Sequence, residues 1–196
     1  MSVVLVDGGG TNLGSVRYAL QRLGVDARLV DNAASVRAAD HVILPGVGAA
    51  APGMARLRQL ELVETLRSLQ QPVLGVCLGM QLLFAASDEG DTDCLGVIPA
   101  RVARMAGAPG ARVPHMGWNA LVRERDGALA DALDAGDHAY FVHGYAAPLG
   151  EWTVASADHA GRFSAIVQHG NYHGMQFHPE RSAAVGARLL KRFLDL

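Results

Sequence analysis

Strand-like apolar runs alternate with helix-like periodic segments through the first part of the chain, and that alternation admits few architectures. Val3-Val4-Leu5-Val6 reads as a buried strand that runs into the turn Asp7-Gly8-Gly9-Gly10-Thr11-Asn12. Leu13, Val16, Leu20 and Leu23 then recur at helical spacing, with Asn12 placed to cap the helix and Gly24 to end it. Val25, Ala27 and Leu29 alternate as a second strand, and 31–39 predicts a short helix capped by Asp31 or Asn32. His41-Val42-Ile43-Leu44 is a third strand, and Met54, Leu57, Leu60, Val63, Leu66 and Leu69 predict one long helix leading to a fourth strand opened by Pro72. Units of this kind in series build a mostly parallel sheet with helices on both faces and ligands at the carboxyl ends of the strands.

Beyond about Leu95 the pattern changes to short strands and turns, at 101–105, 120–123, 139–145, 152–157 and 163–168, which predict an antiparallel extension of the sheet. The expected fold is a three-layer α/β sandwich. A chain of 196 residues, half of them hydrophobic, suits a single domain spanning 1–196.

Several function classes are disfavoured by composition. The glycine-rich first turn is not a dinucleotide fingerprint, because that motif in register from Gly8 needs glycine where Leu13 stands. A net charge of −2 with scattered Lys and Arg provides no basic stripe for nucleic acid. No basic leader or long apolar segment follows Met1, so a cytoplasmic protein is expected. The acidic stretch Asp88-Glu89-Gly90-Asp91-Thr92-Asp93 lacks the alternating ligands and distal Glu of a calcium loop and reads as solvated. Cys94, just after it, reads as a bystander, and nothing in the chain asks for a metal or a cofactor.

The chemistry centres on Cys77. Gly75-Val76-Cys77-Leu78-Gly79 has the G-x-C-x-G form of a nucleophile elbow at a strand-to-helix corner, and the composition of 78–86 predicts the helix that follows. A lone cysteine in an apolar run is more often packing than catalysis, so its partners decide the matter. Asn171-Tyr172-His173-Gly174-Met175-Gln176-Phe177 is a last strand that delivers His178-Pro179-Glu180. Pro179 favours an extended His178, and Glu180 is near enough to accept the imidazole's other N–H. Cys77, His178 and Glu180 thus supply nucleophile, acid/base and orienter, with the backbone of Leu78 and of Gly46-Val47-Gly48 as oxyanion donors. A closing amphipathic helix carries Val185, Leu189, Leu190, Phe193 and Leu194.

The elbow followed by Gln81, together with the distal His178-Pro179-Glu180, strongly resembles the class I glutamine amidotransferases, whose sheet is flavodoxin-like. Within that class, Pro45-Gly46-Val47-Gly48, His115-Met116-Gly117-Trp118-Asn119 and Tyr140-Phe141-Val142-His143 resemble the glutaminase subunits of imidazole glycerol phosphate synthase. The resemblance implies glutamine hydrolysis, with ammonia passed to a separate (β/α)8 cyclase subunit in a heterodimer of histidine biosynthesis. It also implies that Gln81 and the main chain near His143 hold glutamine, and that Trp118, Tyr140 and Arg181 belong to the docking face and ammonia gate. Arg181 stands where these subunits usually carry lysine. Two other readings stay open: a glutaminase serving another synthase, such as the one that makes pyridoxal phosphate, and a non-catalytic cysteine-elbow protein of the same architecture.

Overall fold

The computed structural model describes residues 1–8 and 13–196; the rest of the first turn, with the Asn12 cap, lies outside the described residues. Strand β1 (Val3–Val6) is followed by α1 (Leu13–Arg22), β2 (Arg28–Val30), α2 (Ala33–Arg37) and β3 (His41–Gly46). Asn32 caps α2, its side-chain oxygen accepting the Ser35 N–H at 3.0 Å. Next come α3 (Ala50–Gln59), α4 (Val63–Arg67), β4 (Val73–Cys77) and α5 (Leu78–Gln81). The single long helix expected between β3 and β4 is therefore two. The break falls at Glu61, whose φ of 56° no helix accommodates.

The second half contains β5 (Phe84–Ser87), β6 (Thr92–Asp93), β7 (Ile98–Arg104), β8 (His115–Ala120), β9 (Val122–Arg123), β10 (His138–His143) and β11 (Tyr145–Ala146). The chain closes with β12 (Thr153–Asp158), β13 (Arg162–His169), β14 (Tyr172–Met175) and α6 (Ala183–Leu194). The helix expected over 78–86 stops after one turn, because from Phe84 the backbone is taken up by pairing with β6 and β7.

Eight strands form the main sheet in the order β2-β1-β3-β4-β14-β13-β12-β9. The five from β2 to β14 are parallel, and β13, β12 and β9 add antiparallel, as the change of pattern predicts. The other late strands do not join it: β10 and β8 pair as a two-stranded ribbon, and β11, β7, β5 and β6 form a separate small sheet. Side chains alternate across the parallel strands. Leu5, Ile43 and Leu74 pack with Leu20 of α1 and Phe193 of α6, while Val4, Val42 and Val73 pack on the other face with Met54 and Leu66. Two apolar layers between helices and sheet hold the strand ends of β3, β4 and β14 side by side at one rim. No helix among the described residues is long and apolar enough to cross a membrane.

Candidate active site

Cys77 is the last residue of β4 and the first corner of α5, with φ 54° and ψ −113°, a conformation costly for any side chain but glycine's. Three glycines make the corner possible by close approach. A methyl on Gly79 would overlap the Leu44 carbonyl oxygen, one on Gly46 would lie 2.7 Å from the Gly79 nitrogen, and one on Gly75 would lie 2.6 Å from the Gly79 oxygen. The sequence places Gly46 among the oxyanion residues. In the structure Gly46 pairs with Cys77 across the sheet and is the seat on which the elbow rests, while Val47 and Gly48 line the cavity.

That cavity, about 270 Å³, opens where β3 and β4 end. Cys77 and His178 lie on its wall with Leu78, Gln81, Val142 and His143, so most of the residues singled out in the sequence share one space. Its small volume suits an amino acid better than a drug-sized ligand. Glu89 and Tyr145 complete the lining. Glu89 reads in the sequence as part of a solvated loop. It is folded inward because its carboxylate accepts the Ala50 N–H at 2.8 Å and so caps α3.

β14 reaches the same rim from the other side of β4, Met175 pairing with Val76, so His178 emerges beside the elbow. Its backbone is extended (φ −94°, ψ 99°), as Pro179 requires. The His178 Nδ1 atom lies 2.9 Å from Glu180 Oε1, and its ring also hydrogen-bonds Cys77. Burial alone would lower the His178 pKa, but the hydrogen bonds to Cys77 and Glu180 and the negative charge of both raise it to about 10. Both partners thus favour the protonated form of the ring.

The His178 backbone is clamped as well. Its N–H donates to the Tyr140 carbonyl at 2.9 Å, and its carbonyl accepts the Ser182 hydroxyl at 2.7 Å. Ser182, fully buried, also accepts the Tyr140 N–H at 2.9 Å. Its role escaped the sequence because a serine two residues beyond Glu180 carries no signal without β10 beside it.

Behind the cavity lies a chain of neutral rings. The Tyr145 carbonyl can only accept, so His143 Nδ1, 2.8 Å away, carries the proton and His143 Nε2 accepts from His115 Nδ1 at 3.1 Å. Asn119 closes the chain, its Nδ2 donating to His115 Nε2 at 3.4 Å and to the Asp158 carbonyl at 2.8 Å. Burial pushes His143 down to about 3, and burial with the charge of His159 pushes His115 down to about 4, in keeping with neutral rings. His115 and His143 face each other across the β8–β10 ribbon, which makes this contact invisible in sequence.

The opposite face of that ribbon is apolar and open. Met116 is 64 % and Trp118 54 % exposed, and Trp118 meets Tyr140 across the strands with ring centroids 6.0 Å apart. Val142, on the same face, belongs to the cavity wall, so the exposed patch runs up to the cavity mouth. Arg181 is exposed, one residue beyond Glu180. Cys94 is buried away from the site, and burial pushes its thiol up to about 11. Among the described residues no group of His, Cys, Asp and Glu is arranged to hold a metal ion.

Comparison with known proteins places this geometry in a family. The family model "Glutamine amidotransferase class-I" matches residues 4–196. The chain is 61 % identical over 194 residues to "Imidazole glycerol phosphate synthase subunit HisH" of Xanthomonas axonopodis pv. citri, covering 99 % of this chain and 97 % of that one. It is 57 % identical, with the same coverage, to the protein of that name from Xylella fastidiosa. Among solved structures, "Crystal structure of glutamine amidotransferase" superposes with a TM-score of 0.76 at 23 % identity over 99 % of this chain and 98 % of that one, a likeness of fold alone. The chain therefore belongs to the class I glutamine amidotransferases, enzymes that hydrolyse glutamine, and within them to the HisH glutaminase subunits of imidazole glycerol phosphate synthase.

Proposed function

We propose that Cys77, His178 and Glu180 carry the glutaminase reaction and that the ammonia passes to a (β/α)8 cyclase subunit bound over Trp118, Tyr140 and Arg181. The observation that carries this reading is His178 hydrogen-bonded to both Cys77 and Glu180 on the wall of a cavity the size of an amino acid. The Cys77 sulfur attacks as thiolate on the side-chain carboxamide carbon of glutamine. Negative charge develops on the carboxamide oxygen, and in this reading N–H groups of Leu78 and of the Val47-Gly48 segment, all of which line the cavity, receive it. As the C–N bond breaks, His178 gives its proton to the departing nitrogen and ammonia leaves a γ-glutamyl thioester on Cys77. Neutral His178 then takes a proton from water, whose hydroxide attacks the thioester, releasing glutamate and restoring the thiolate–imidazolium pair. Glu180 keeps the Nδ1 proton in place throughout.

The substrate's α-ammonium is matched by Glu89, a carboxylate on the wall, and by Gln81. The open apolar face beside the cavity supports a partner that closes over it and leads ammonia away from solvent. In this reading the partner makes imidazole glycerol phosphate and an aminoimidazole carboxamide ribotide in the cytoplasm. A glutaminase assay of the chain alone, with the barrel subunit, and with the barrel subunit plus its nucleotide ligand tests it. Feeble activity alone and a steep rise in the full mixture are expected; equal activity in all three would remove the case for an obligate partner.

A further inference from the structure

Gln176 is fully buried between Gln81 and Cys77, and neither the elbow nor the His-Pro-Glu motif accounts for it. Its amide lies 2.8 Å from Gln81 Nε2 on one side and 3.9 Å from Cys77 Sγ on the other. An amide between two groups could face either way, but here the choice is forced from a distance. The Tyr145 carbonyl oxygen, which has no hydrogen to give, lies 2.9 Å from the Gln81 amide and so must face its NH2 group. Gln81 then presents its second amide hydrogen to Gln176, which must answer with Oε1. That leaves Gln176 Nε2, a donor, as the atom aimed at the sulfur.

We infer that Gln176 is a further catalytic residue of this site: its side-chain N–H, oriented through Gln81 by the Tyr145 carbonyl, donates to Cys77 Sγ and favours the thiolate. The inference deepens the reading of Cys77 as nucleophile and rests on it. An N–H directed at a thiolate is worth most when charge sits on sulfur, both before attack and when the thioester is cleaved. The same chain has a second consequence. With both Gln81 amide hydrogens engaged, only Gln81 Oε1 remains for the cavity, an acceptor suited to an ammonium and unsuited to a carboxylate. At 3.9 Å the contact with sulfur is long, so its effect falls below that of an ordinary charge-assisted hydrogen bond.

The test is the pH profile of Cys77 alkylation by iodoacetamide in the full chain, read by mass spectrometry of the Cys77 peptide with buried Cys94 as the unreactive reference. Gln176→Met keeps the length and removes the N–H. It is expected to move the lower midpoint of the profile up by about half to one pH unit and so to slow alkylation by about threefold to tenfold at pH values below that midpoint. Gln81→Met, at the cavity wall, frees the Gln176 amide to turn and is expected to move the midpoint the same way by less. It serves also if Gln176→Met does not fold, as judged by near-UV circular dichroism. A merely structural Gln176 would alter melting and leave the midpoint in place. Wild-type midpoints in the folded variants overturn the proposal. Glutaminase activity surviving in Cys77→Ala, which has no nucleophile, would instead overturn the nucleophile assignment, so the two failures are separable.

Discussion

Removing the Ser182 hydroxyl should show how the His178 backbone is held. Ser182→Ala deletes two hydrogen bonds at once, the one donated to the His178 carbonyl and the one accepted from the Tyr140 N–H. The His178 carbonyl keeps the Arg181 N–H at 3.0 Å, so most of the loss falls on the Tyr140 N–H. A partly buried donor without a partner costs about 1–2 kcal/mol and the second bond about 0.5–1 kcal/mol, or about 2 kcal/mol together. For a chain of this size that corresponds to a melting temperature lower by about 4–8 °C. His178 retains its bonds to Tyr140 and Glu180, so the ring stays in the site with a looser backbone. We expect kcat with the cyclase to fall about tenfold and KM for glutamine to change little, since the clamp touches no substrate. Thermal and urea unfolding followed by circular dichroism, with steady-state glutaminase kinetics, measure both quantities. A melting temperature within 1 °C of wild type, together with unchanged kcat, would refute the clamp.

Cys77→Ala is expected to abolish glutaminase activity with the fold retained. Cys77→Gly, equally inactive, should resist urea by about 1 kcal/mol more than Cys77→Ala, because only glycine relieves the positive φ at the elbow. Acid should destabilise the protein. His115, His143 and His173, held by burial at about 4, 3 and 4, bind protons more readily unfolded than folded, so the stability present above their unfolded value near 6.5 is lost as pH falls. At pH 5 the loss is on the order of 1–2 kcal/mol per histidine, less for the coupled His115–His143 pair, and a urea midpoint as high at pH 5 as at pH 7 would contradict it. His178 has the opposite sign: its contribution is full below about 6.5 and drains away as pH rises toward 10, so on going from pH 7 to pH 5 it offsets on the order of 1 kcal/mol of the loss from the other three. Trp118→Ala should leave the melting temperature within about 1 °C and weaken cyclase binding at least about tenfold by calorimetric titration; undiminished affinity would move the docking face elsewhere.

The parts of this protein that were legible in the chain are those set by local pattern. Apolar runs and helical spacing specify strand–helix units with little help from afar, and they gave the parallel half of the sheet with its helices on both faces. The elbow glycines and Pro179 restrict their own backbones and neighbours, so Cys77 at a corner and His178 in extended form could be expected from sequence neighbours alone. Where expectation failed, a distant partner outweighed local preference. The helix after Cys77 gives way at Phe84 because β6 and β7 offer the backbone a ladder.

Only the tertiary structure decided which polar groups face one another. Glu89 enters the cavity because an N–H at the start of α3 draws it in, and Gln176 meets Cys77 because β14 lies beside β4. His115 joins His143 because β8 pairs with β10. A hydrogen bond is directional and reaches about 3 Å, so its partner is fixed by packing across the fold and leaves no periodic trace along the chain.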